Sequence, residues 1–122
     1  QLRDLQWNVR PRSLIAVGSV AMAIASMERG LLQHDPSQIH GLRLSRGMIR
    51  KWIDRILEKP YEKRRELCPA YPNKSDYLLA GCVILDAICT HSLRDSLFIS
   101  GGGLRLGVLL NLLRYQSEEE SY

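Results

Sequence analysis

SLIAVGSVAMAIASMERG, residues 13–30, decides the fold. Ser13 to Val17 is a short apolar run with β-branched members, and it reads as a strand. Gly18 and Ser19 follow, and then Val20, Ala23, Ile24 and Met27 recur at helical spacing up to Gly30, a natural C-cap. The unit is strand, glycine turn, helix. The same plan returns near the other end of the chain. Ser96 to Ser100 (SLFIS) is an apolar strand, Gly101, Gly102 and Gly103 make the turn, and LRLGVLLNLLRY continues as a helix.

Between these units lie helices. The segment His34 to Ser37 (HDPS) reads as a turn, and Gln38 to Leu44 as a short extended stretch carrying Ile39, Leu42 and Leu44. Ser45 is placed to cap a helix whose apolar side carries Met48, Ile49, Trp52, Ile53, Ile56 and Leu57 and whose polar side carries Arg50, Lys51, Asp54, Arg55 and Glu58. Pro60 ends it, and a short charged helix is expected over Tyr61 to Leu67. After the loop CPAYPN, a helix from about Asn73 to Thr90 is apolar almost all round, as a helix buried between layers is. Gly81 in its middle points to close packing. Leu2, Leu5 and Val9 suggest the tail of a helix that Pro11 stops, and residues 116–122, with Glu118 to Glu120, read as a disordered end.

Two strands separated by helices run parallel, joined by a right-handed crossover. A sheet of two strands leaves the outer edge of 13–17 without partners, so the chain reads as part of an α/β domain, a single partial domain over 1–122, with a covering expected on that edge from the rest of the lobe, from a second copy or from the chain's own N-terminal segment. The start at Gln1 reads as that of a processed or excised product.

Composition narrows the function. Hydrophobic residues are 45% and charged residues 25%, which suits a folded domain and not a disordered one. No apolar run reaches the length of a membrane helix, so no membrane partner is expected. Cys68, Cys82 and Cys89 are odd in number and lack metal-ligand spacing; they read as small apolar residues in a reducing compartment, hence cytoplasmic. The formal charge of +4 suits an anionic partner.

The glycine turns are the candidate site. A strand that ends in glycine and enters a helix aims unpaired N–H groups at one point, where the helix dipole adds positive potential and no Cβ obstructs a phosphate. The candidate phosphate-binding residues are Gly18, Ser19, Gly102, Gly103 and Arg105, with Ser100 as a further hydroxyl. The basic residues from Arg43 to Arg65 are interleaved with Asp54, Glu58, Glu62 and Glu66 at pairing distance, and read as a solvated helix face. His34, His40 and His91 share no ligand spacing, and His40 reads as structural. No nucleophile–base pair and no carboxylate cluster is visible, so neither catalytic residues nor metal ligands are assigned.

Four segments, in order, resemble the Ppx/GppA phosphatase family: IAVGSVAMAIASMERG, IHGLRLSR, PNKSDYLLAGCVIL and LFISGGGLRLGVLLNLL. The resemblance implies an α/β, ribonuclease H-like half-lobe of the actin/Hsp70/sugar-kinase superfamily, with two parallel strands and about five helices. It also implies a parent that releases terminal phosphate from inorganic polyphosphate or guanosine pentaphosphate with Mg²⁺, whose catalytic and Mg²⁺-binding residues lie upstream of this stretch. The last segment departs from the family pattern: Gly101 stands where Asp is usual, and Leu106 where Glu is usual. Loss of two carboxylates leaves open a non-catalytic sensor of a phosphorylated nucleotide on the same fold. A small basic nucleic-acid-binding module is the reading without the resemblance, but the chain has few aromatics and no helix-turn-helix, so nucleic acid is not the expected partner.

Overall fold

The computed structural model describes residues 10–120. Residues 1–9, where the helical tail is expected, lie outside them. In chain order the elements are β1 (Ile15–Val17), α1 (Ser19–Arg29), α2 (Pro36–Ile39), β2 (Arg43–Ser45), α3 (Arg46–Glu58), two 3-10 helices (Tyr61–Leu67 and Pro72–Lys74), α4 (Ser75–His91), β3 (Ser96–Ser100) and α5 (Leu104–Glu120).

The expected pair of parallel strands is present: β1 lies beside β3 with Ile15 opposite Phe98 and Val17 opposite Ser100. A third strand joins on the far side. β2 runs antiparallel to β3, so the order is β1-β3-β2. Only Arg43 to Ser45 of the expected extended stretch pairs, because Pro36 to Ile39 forms α2 instead. The local chemistry explains this: Pro36 is pre-set for a first helical turn, and Asp35 caps it by accepting from the Ser37 N–H at 3.2 Å. Hydrogen bonds from the Ser37 and Gln38 side chains hold the Asp35 carboxyl below its ordinary pKa.

The core lies on one face of the sheet. Leu44, Leu97 and Ile99 point into it and meet Ala23, Ile24, Ile49, Ile56, Leu78 and Cys82, all buried. α1 is buried on more than the single stripe expected, since Ala21, Ala25 and Ser26 are inside as well. Gly30 ends it in the left-handed conformation, with the Leu31 N–H reaching the Ser26 carbonyl at 2.9 Å. Ser45 caps α3 as expected, accepting from the Met48 N–H at 3.1 Å. Trp52 on α3 donates its ring N–H to Glu28 on α1 at 2.6 Å, and Asp86 on α4 accepts from Arg46 at 2.9 Å and Arg50 at 3.2 Å. The three cysteines are buried thiols, as expected.

One face of the described residues is exposed and apolar. Ile15, Val17 and Phe98 stand on the sheet face opposite the core and are exposed, as are Tyr77, Val83 and Ile84 on α4, which the sequence assigns to a helix buried between two layers. Among the described residues only one of those layers is present. A cavity of about 510 Å³ opens between β1, α1 and α4, lined by Ile15, Val17, Val20, Tyr77, Ile84 and Ile88 among others. α5 is likewise exposed along its leucines, and it continues to Glu120, so residues 116–120 of the expected disordered end are helical.

Candidate functional site

The register of β1 and β3 sets the two glycine turns side by side. Val17 is paired with Ser100, Gly18 directly follows the first and Gly101 the second. Neighbouring strands are about 4.8 Å apart, so both turns open at the same end of the sheet. All five sequence-assigned residues, Gly18, Ser19, Gly102, Gly103 and Arg105, belong to these turns or to the helix starts behind them.

At the first turn Gly18 has φ 117° and ψ 166°, a conformation that glycine alone adopts freely, and no side chain caps α1. A Cβ at Gly18 would meet nothing within 4 Å, so the space in front of the turn is open. The leading N–H groups of α1, beginning with that of Ser19, have no partner one helical turn back. The Ser19 hydroxyl is exposed beside them.

The second turn is more constrained. The Ser100 hydroxyl donates to the Gly102 carbonyl at 3.2 Å and accepts from the Gly102 N–H at 3.3 Å, so Ser100 shapes the turn and takes up the Gly102 N–H. A Cβ on Gly102 would approach Leu106 Cδ2 at 3.0 Å, whereas one on Gly103 would meet nothing within 4 Å. Gly103 opens α5, and its carbonyl accepts from the Gly107 N–H at 3.2 Å. Arg105, the second residue of α5, is exposed and makes no ion pair among the described residues.

His40 also belongs to this turn, which its reading as a structural residue did not locate. Its Nδ1 accepts from the Gly101 N–H at 2.9 Å. The His40-Gly41 step was the available signal, since a glycine there permits the turn that returns the chain to the sheet.

The first turn offers the leading N–H groups of α1; at the second, the Gly101 and Gly102 N–H groups are taken by His40 and Ser100, which leaves Gly103, the start of α5 and the exposed Arg105. Helix-start N–H groups left without an intrahelical partner are of the kind that suits an anion. No group of three or more His, Cys, Asp or Glu side chains among the described residues could hold a metal ion.

A model of the Ppx/GppA phosphatase family matches residues 2–116. The chain belongs to the Ppx/GppA phosphatase family. Solved structures agree. The Aquifex aeolicus Ppx/GppA family member superposes with a TM-score of 0.78 at 28% identity over 85% of this chain, and its type II variant with 0.78 at 29% identity over 84%. An exopolyphosphatase-like protein shares the fold, with a TM-score of 0.73 at 23% identity over 86% of the chain. These matches cover 34%, 35% and 36% of the respective solved chains, so this chain spans about a third of their length. No protein with a curated description matches it.

Proposed function

We propose that this chain is part of the second lobe of a Ppx/GppA phosphatase that hydrolyses terminal phosphoanhydride bonds of inorganic polyphosphate or guanosine pentaphosphate. Its share of the work is to wall the cleft and hold phosphate at the turns Gly18–Ser19 and Gly103–Arg105. The observation that carries this reading is the parallel pairing of Val17 with Ser100, which places two glycine-led helix starts at one end of the sheet. Water activation and Mg²⁺ binding belong to the remainder of the enzyme. The buried, unpaired cysteines suit a reducing compartment, and the cytoplasm is the proposed location.

Among the described residues no strand pairs with the outer edge of β1, and this edge and the apolar cavity beside it are where the rest of the lobe is proposed to seat. An apolar strand edge open to solvent invites a further strand. The size of the solved relatives supports this occupant, since about two thirds of each lies outside the match.

The test is phosphate release by the full-length protein supplied with Mg²⁺ and either polyphosphate or guanosine pentaphosphate. Release from one of them is expected; binding without release by well-folded protein would move the reading to a phosphate sensor. One observation favours that second reading. Gly101 stands where the family usually has Asp, and a Cβ there would lie 3.2 Å from both the Pro36 carbonyl and His40 Cβ, so Pro36 or His40 would have to give way slightly to admit a side chain.

A further inference from the structure

We infer that His40 is a positioning residue for the second phosphate turn, acting through its Nδ1 on the backbone of Gly101; the inference rests on the phosphate reading above. Three observations converge on it. First, the Gly101 N–H donates to His40 Nδ1 at 2.9 Å, joining residues 61 apart in sequence. In a neutral imidazole an accepting Nδ1 requires the proton on Nε2, so this contact selects one tautomer.

Second, the position of His40 is fixed from both sides. The Asp35-capped helix α2 leads into it, and the His40 N–H donates to the Pro36 carbonyl at 2.9 Å. On the other side Gly41 takes φ 79° and its N–H donates to the Ile99 carbonyl at 2.8 Å, while the Ile99 N–H donates to the Leu42 carbonyl at 2.9 Å. The ring is therefore strapped to the end of β3 by backbone bonds that do not involve it. The sequence His-Gly is needed as a pair: glycine for the left-handed step, histidine for the acceptor that this step delivers to the turn.

Third, the turn has little else to hold it. Gly101, Gly102 and Gly103 are the most freely rotating sequence a chain can have, and their order depends on Ser100 Oγ at Gly102 and His40 Nδ1 at Gly101. An anion site made of N–H groups works only when those groups are already aimed, because ordering them on binding subtracts from affinity. His40 removes that cost on one side of the turn and Ser100 on the other. Close packing of Pro36 and His40 against Gly101 completes the clamp.

The test uses two variants and two readouts. Asparagine can place its Oδ1 where Nδ1 stands, so His40→Asn keeps the acceptor, whereas His40→Ala removes it. In protein labelled with nitrogen-15 at glycine and histidine, the imidazole spectrum of His40 should show the proton on Nε2. In His40→Ala the amide of Gly101 should shift and exchange with solvent faster, and affinity for inorganic tripolyphosphate should fall about tenfold, the loss that one hydrogen bond typically represents. His40→Asn should stay near wild type in both. A proton on Nδ1, an unchanged Gly101 amide in His40→Ala, or a loss in His40→Asn equal to that in His40→Ala overturns the inference. Wild-type protein that binds no tripolyphosphate overturns the phosphate reading itself; equal binding by wild type and His40→Ala overturns the positioning role alone.

Discussion

Val20 stands where a side chain on Gly81 would begin: a Cβ built on Gly81 collides with Cγ1 of Val20 and comes within 3.6 Å of Ile24 Cδ1. The contact joins α4 to the first turn of α1, directly behind Gly18. It lets two helices approach backbone to side chain, and a stiff β-branched valine cannot step aside cheaply. Gly81→Ala should therefore destabilise the fold by about 1–3 kcal/mol, the usual cost of overpacking, despite the better helix propensity of alanine. Urea denaturation measures it, and Val20→Ala in the same chain should recover part of the loss. A gain of about 1 kcal/mol in the single variant, as at an open helix site, would contradict the packing.

Ser45 is both the last residue of β2 and the cap of α3, accepting from the Met48 N–H. Ser45→Ala should cost about 0.5–2 kcal/mol in the same denaturation assay, and Ser45→Asp should cost much less.

These two sites show why part of the fold was legible. Gly81 and Ser45 carry local signals, a glycine inside an apolar helix and a serine before an amphipathic one, and both meant what such signals usually mean. The strand Ser96–Ser100 was legible for the same reason, as a compact apolar run bounded by polar residues and glycine. Asp35-Pro36 was ambiguous, because the residues that start a turn also start a helix, and the following residues extended it into α2. Trp52 with Glu28, and His40 with Gly101, were not legible. Each joins elements brought together only by the tertiary fold, and neither spacing is periodic.

Cys82 supplies a pH-dependent expectation. Burial pushes its thiol from 9.0 up to about 12. The unfolded chain then loses this proton near pH 9 while the folded chain retains it. Stability is unaffected by this group below pH 9 and declines as pH climbs from about 9 toward 12, by at most about 1.4 kcal/mol per pH unit. Denaturation at pH 8 and pH 10.5, compared between wild type and Cys82→Ala, isolates the effect: the variant should be less stable at pH 8 but lose less between the two. Equal losses would show that the thiol ionises alike in both states.

Arg105 follows the second turn and has no carboxylate partner among the described residues, so its charge is available to a ligand. Arg105→Ala should weaken tripolyphosphate binding by about 1.5–3 kcal/mol, the range for a charged hydrogen bond, with no change in melting temperature. Unaltered affinity would return Arg105 to the ordinary surface of α5.

The central claim is that the turns after β1 and β3 form one anion site. It is tested most directly by titrating protein labelled with nitrogen-15 at glycine and serine with tripolyphosphate and following the backbone amides of Gly18, Ser19 and Gly103. The account expects the three signals to move together and saturate with a single dissociation constant, while Gly47 and Gly81, on helices behind the sheet, stay still. Movement at one turn without the other, or none at either, would contradict it.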